Sequence, residues 1–166
     1  MTNKEIEKKI AELSAQIEAL KGEIKKETPK GEIWKPKKGD IYWYVDELGD
    51  VYSIECECEK NECGFKRIGN YYPTKEKAEF EANREKYTRL FRKYVEQHSE
   101  LLNWEDCEQA KWYVDYDHSR GKICFDNIEE WQGMEVYGSS KEVMQEAVAF
   151  IGEENMKKYL LGVESE

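Results

Sequence analysis

The chain has 166 residues and a formal net charge of −10, a length that supports one domain with its own core and needs no covalent staples. Hydrophobic residues make up 39% and aromatics 13%, so a core has to lean on Trp, Tyr and Phe. No apolar run reaches membrane-spanning length, and five cysteines, an odd number, argue against a disulfide framework.

The first predicted element is a helix over residues 4–27. Ile6, Ile10, Leu13, Ile17, Leu20 and Ile24 alternate spacings of four and three, the a/d seam of a coiled coil. Ile at a with Leu at d favours a parallel dimer, so a homodimer is expected, with back-packing on the domain as the alternative. Thr28-Pro29-Lys30-Gly31 ends the helix. The expected organisation is a coiled-coil helix (1–28), a linker (29–40) and a duplicated domain (41–166) with units of about 41–102 and 103–166.

Duplication is read from Trp43-Tyr44-Val45-Asp46 and its recurrence as Trp112-Tyr113-Val114-Asp115. In the first unit, strands are expected over 41–47 and 51–58 around Leu48-Gly49-Asp50, with a third short strand over 65–68. Thr74 is the expected N-cap of a helix from Lys75 to about Leu102. Its apolar stripe is Tyr87, Leu90, Phe91, Tyr94, Val95, His98, Leu101 and Leu102. The second unit repeats the plan, with strands over 111–116 and 122–126 and a third near 134–137. Ser139-Ser140-Lys141-Glu142 reads as a capping box with Ser at the N-cap and Glu at N3. The helix after it is interrupted at Gly152, and a last helical turn runs over 155–161. The predicted fold class is α+β, an antiparallel sheet covered by two helices.

The acidity is confined to one end. Residues 1–95 carry 20 Lys/Arg against 19 Asp/Glu, and residues 96–166 carry 6 against 17. Phosphates need Lys and Arg, so the acidic end points to a basic protein surface rather than to nucleic acid, with simple solubility as the equal alternative. The candidate partner-binding set is Glu105, Asp106, Glu108, Asp117, Asp126, Glu129, Glu130, Trp131 and Glu135, carboxylates interleaved with aromatic anchors. Lys86, Arg89 and Lys93 form a basic stripe on the long helix, a candidate nucleic-acid contact together with Lys35, Lys37 and Lys38, although a solvated face balanced by Glu79, Glu81 and Glu85 is the expected reading. Cys56, Cys58 and Cys63 supply three thiolates, one ligand short of a closed zinc site, and ordinary buried thiols fit the strand alternation as well. No cofactor is expected. His98 and His118 are the only histidines, and no nucleophile has a base partner in the sequence, so no catalytic residue is assigned.

The coiled coil, Trp34-Lys35-Pro36, the run from Gly39-Asp40-Ile41-Tyr42 through Val45, Gly49-Asp50-Val51, and the run from Gly69-Asn70-Tyr71-Tyr72-Pro73-Thr74 through Glu79 follow one another in a familiar order. With Met156-Lys157-Lys158-Tyr159-Leu160-Leu161-Gly162-Val163 at the end, the pattern resembles small accessory proteins of Firmicute phages and prophages. Proteins of this kind include anti-defence inhibitors, anti-CRISPR proteins among them. The resemblance implies a host bacterial cytoplasm, no catalytic residues, and a partner such as an RNA-guided nuclease, whose duplex lies in a basic channel. The Met1-Thr2-Asn3-Lys4-Glu5 start, with no apolar signal segment, fits the same compartment. The expected function is a non-enzymatic inhibitor acting through its acidic surface. The alternatives are a dimeric structural or regulatory module acting through its coiled coil, and a nucleic-acid-binding protein.

Overall fold

The computed structural model describes residues 9, 10, 12–14, 16, 17, 33–57, 64–130 and 132–163. The chain divides into two compact units, residues 1–36 and 37–166. In the first, Ile10, Leu13 and Ile17 are helical and expose 58%, 51% and 52% of their surface. Ile6, Leu20 and Ile24 lie outside the described residues, as do Cys58, Cys63 and Trp131.

The second unit is α+β. β1 (Ile41–Val45) and β2 (Val51–Glu55) form one antiparallel hairpin; β3 (Lys111–Asp117) and β4 (Lys122–Ile128) form another. Aspartate builds both turns. Asp46 Oδ1 accepts the Leu48 and Asp50 N–H groups at 2.9 Å, and Asp117 Oδ1 accepts those of Ser119 and Arg120 at 2.9 and 3.1 Å. These bonds replace backbone rungs that a tight turn cannot make. Each turn also holds a glycine at positive φ, Gly49 at 91° and Gly121 at 64°.

Each hairpin gains one further rung, on the outer edge of its first strand, from further along the chain. Trp43 N–H donates to Tyr72 O at 2.9 Å, and Tyr72 N–H returns to Trp43 O at 2.8 Å. Trp112 and Gly138 exchange the same pair at 2.9 and 2.8 Å. Two residues after each rung a hydroxyl caps a helix. Thr74 Oγ1 accepts from Lys77 N–H, and Ser140 Oγ from Val143 N–H, both at 3.2 Å. From these caps run α2 (Lys75–His98) and α3 (Lys141–Ile151), numbered after α1 (Gly64–Arg67). α4 (Glu153–Asn155) and a π-helical turn (Met156–Leu160) follow Gly152.

The structure corrects several expectations. There is not one sheet but two separate two-stranded sheets. The outer edge of β1 is occupied by Tyr72 and by the Asn70 amide, which donates to Val45 O and accepts from Val45 N–H. Gly138 occupies the corresponding edge of β3, so neither hairpin offers its first strand to the other. The segment expected as a strand at 65–68 begins within α1, whose Phe65 ring stacks on Tyr44 at 4.2 Å. The segment 134–137 is no strand either; its only ladder contact is the rung at Gly138 that follows it. Glycine leaves room at that rung, because a Cβ there would come within 2.5 Å of Met144 Sδ and the buried Met144 side chain would have to shift. β2 ends at Glu55 rather than at 58, and α2 stops at His98 because Ser99 turns extended. Leu101 therefore leaves the apolar stripe and is exposed.

The capping box also fails. Ser140, not Ser139, is the N-cap, which puts Glu142 one position short of N3. Ser139 instead ties the two halves together: its N–H donates to Ser99 Oγ at 3.2 Å, and its Oγ accepts from Glu100 N–H at 3.0 Å.

The core joins Phe91 and Val95 of α2, Val114 of β3, Met144, Ala147, Val148 and Ile151 of α3, and Met156. Trp112, Ile123 and Phe125 pack against it from the second hairpin. α2 is thus shared. Its 24 residues span about 36 Å, enough to pack against the first hairpin and also against α3. The parallel caps lead to matched losses: Thr74→Ala and Ser140→Ala are each expected to lower stability by about 1 kcal/mol in urea unfolding.

Candidate protein-interaction face

The β3–β4 hairpin is buried on one side, so its residues alternate between core and outside. Trp112, Val114 and Tyr116, with Asn127, Phe125 and Ile123 opposite them, take the side of Val114 and the core. Lys111, Tyr113, Asp115 and Asp117 take the other, opposite Ile128, Asp126, Cys124 and Lys122. Alternation thus sets Tyr113, Asp115 and Asp126 together on the outward side.

Two more rings extend this face. Tyr137 meets Tyr113 edge-on at 6.0 Å and Trp104 at 5.0 Å. The Tyr137 hydroxyl donates to Glu135 Oε2 at 2.9 Å and accepts from Gly133 N–H at 2.8 Å, so Glu135 is fixed at the rim of the cluster. All three rings are half-buried, while Asp115, Asp126 and Glu135 are exposed.

Lys111 organises the other end. It is fully buried, and its ammonium donates to Asp106 O at 2.6 Å and Glu129 O at 3.0 Å, with the Trp104 ring 5.4 Å away. A buried ammonium needs such partners, because removing it from water without them is costly. The result is a clamp between two segments distant in sequence. One carries Glu105, Asp106 and Glu108, the other Glu129 and Glu130, and all five side chains are exposed.

The structure therefore brings Glu105, Asp106, Glu108, Glu129 and Glu130 around the Lys111 clamp, and Asp126 and Glu135 around the tyrosines. Asp117 stands at the hairpin tip, where its carboxylate also accepts the Ser119 hydroxyl at 2.6 Å. That hydroxyl, then the backbone donors, hold its pKa below the ordinary carboxylate value. Lys111, Tyr113 and Tyr137 escaped the sequence reading. The available signal was that Lys111 is the only Lys or Arg between Lys93 and Arg120, in the most acidic part of the chain.

The basic stripe is redistributed. Arg89 lines an open groove of about 1210 Å³ together with Arg84 and Arg92, and Glu81 and Glu85 share the same wall. Arg84 pairs with Glu81 and Arg89 with Glu85. Lys86 lies over the Tyr87 ring at 5.4 Å, and Lys93 is not part of this groove. His98, expected on the apolar stripe, is exposed and stacks on Tyr94 at 4.0 Å. Cys56 is buried, and among the described residues no three His, Cys, Asp or Glu side chains are grouped to hold a metal. Among them, too, no helix is long and apolar enough to cross a membrane.

Comparison with protein-family models, with curated proteins and with solved structures finds no match to this chain.

Two outcomes follow from this geometry. Lys111→Met keeps the stem but leaves two carbonyls without their donor, and is expected to destabilise by about 2 kcal/mol in urea unfolding. Amides in 103–109 and 128–130 should also exchange faster, and an unchanged midpoint would contradict the clamp. The second outcome is alkaline. Burial first, then Asp126, Asp115 and Glu135, raise the Tyr113 pKa above the ordinary value of 10.0. Burial also leads at Tyr137, reinforced by Glu135 and opposed by the Gly133 N–H. Both phenols hold their protons more tightly folded than unfolded. The stability this confers is complete below pH 10 and is lost as pH climbs through the raised folded values. Asp126→Asn should bring the Tyr113 transition down toward 10, read by tyrosinate absorbance.

Proposed function

We propose that this chain is a non-enzymatic interaction protein whose acidic and aromatic face binds a basic polypeptide surface. The observation that carries the reading is the convergence of half-buried Trp104, Tyr113 and Tyr137 with exposed carboxylates from three separate segments. Aromatic rings anchored by their neighbours supply contact area at low entropic cost, and the surrounding carboxylates steer a cationic partner into place. The resemblance to phage and prophage accessory proteins makes the nucleic-acid channel of a host RNA-guided nuclease the partner of choice. Occupying that channel would block its use, and the same positive surface that holds a nucleic-acid duplex would hold these carboxylates.

Two further features bear on the origin and assembly of the chain. The matching hairpin, rung, cap and helix in each half are what duplication of one unit would leave. The exposed apolar side chains of Ile10, Leu13 and Ile17 are what a second copy of the helix would cover in a coiled-coil homodimer. The second reading, a structural or regulatory module acting through that dimer, rests on this exposure.

One experiment separates the readings. Tagged full-length protein is used to capture partners from a Firmicute lysate carrying an RNA-guided nuclease, at low and moderate salt. Recovery of the nuclease is expected, falling with salt and lost when Glu105, Asp106, Glu129 and Glu130 are all changed to Lys. Capture that survives this reversal defeats the acidic-face reading. Capture that survives it but is lost in Ile10→Asp with Ile17→Asp moves the function to the dimer.

A further inference from the structure

The first hairpin carries an open strand edge. Trp43 and Val45 direct their backbone groups away from β2, to Tyr72 and Asn70. In an antiparallel ladder, residues opposite such positions also point away from their partner strand. Val51 and Ser53 stand opposite Val45 and Trp43, and Glu55 opposite Ile41 continues the alternation. The N–H and C=O groups of Val51, Ser53 and Glu55 therefore line the outer edge of β2, and none of the described residues bonds them.

The second hairpin treats its edges differently. On the outer edge of β4 the Asn127 N–H is taken by Asp126 Oδ1 at 2.8 Å, and on that of β3 the Tyr116 N–H is taken by Asp115 Oδ1 at 2.7 Å. Carboxylates that occupy edge donors discourage a further strand. Among the described residues β2 has no such guard, and it exposes Tyr52 and Ile54, at 48% and 44%, on one face.

We propose that the β2 edge accepts an extended segment of a partner polypeptide in which apolar residues alternate with Lys or Arg. Backbone pairing to Val51, Ser53 and Glu55 would supply the register, and the apolar residues would lie against Tyr52 and Ile54. Charge selects this occupant. Asp50, Glu55 and Glu57 lie along the edge, and no Lys or Arg occurs between Lys38 and Lys60. Lys75 and Lys86 of α2 line a groove with Asp50 and Val51, but a second copy of β2 would add three carboxylates and no cation of its own, whereas a cationic strand offsets them directly. This site is separate from the acidic and aromatic face and does not depend on it.

The test uses the full-length protein and a synthetic peptide of alternating Val and Lys, with its Val and Glu counterpart as control. The readout is residue-resolved amide exchange. The cationic peptide is expected to protect the Val51, Ser53 and Glu55 amides while Tyr52 and Ile54, already bonded to β1, change little. Ser53→Pro removes an outward N–H without touching the hairpin's internal bonds, so it should abolish this protection. Ile54→Lys should weaken binding while keeping every backbone group, a check that holds if the proline variant misfolds. Three results would overturn the proposal. One is peptide binding that shifts Tyr113 and Tyr137 but leaves these three amides unprotected. Another is equal protection by the acidic peptide. The third is protection that grows with protein concentration alone, which would mean self-pairing.

Discussion

Burial of the Val114 side of the β3–β4 hairpin decides where the rest of the molecule can place its charge. Val114, with Trp112, Ile123 and Phe125 beside it, packs against α3 and belongs to the same buried cluster as Phe91 and Val95 of α2. Full burial of an aliphatic side chain contributes roughly 1.5–3 kcal/mol, and the three partly buried neighbours of Val114 add fractions of that, so the orientation of this hairpin is held by the core. Strand alternation then leaves Tyr113, Asp115 and Asp126 no place but the outer side. The acidic face is thus a by-product of how the core is made, and it inherits the rigidity of that core.

The same constraint gives the two hairpins unequal standing. The first contributes no residue to the main buried cluster; Tyr42, Cys56 and Ala78 are buried apart from it. It is held by the Trp43–Tyr72 rung, by Asn70 and by packing on α2. The second hairpin is sealed into the core on one side and uses its other side for carboxylates, two of which also occupy its edge donors. The first keeps its far edge open. The two hairpins have been put to different surface uses, because the core is built fully against only one of them.

Much of this was legible in the sequence because it is local. Both hairpins, the Thr74 cap and the start of each long helix follow from alternation, from Asp and Gly in the turns, and from hydroxyls before amphipathic runs. What stayed hidden is non-local. The Trp112–Gly138 rung is two backbone bonds between residues far apart in the chain, and backbone bonds leave no side-chain pattern. Phe65 reads as strand by type, yet its place is set by stacking on Tyr44 within a single helical turn. Lys111 reads as solvated, and only the chain crossing over it at Asp106 and Glu129 makes it a clamp. The acidic cluster was visible as composition. The ring of Trp104, Tyr137 and Tyr113 that gives it a centre was not, since it depends on segments brought together by that rung and that clamp.

We propose this face, and not the N-terminal helix, as the working surface. The most direct measurement is residue-resolved hydroxyl-radical footprinting of the full-length protein, alone and bound to its captured partner. Protection is expected at Trp104, Tyr113 and Tyr137, with little change at Ile10, Leu13 and Ile17. Protection confined to those three helix residues, with the aromatic face as reactive as in the free protein, would contradict it.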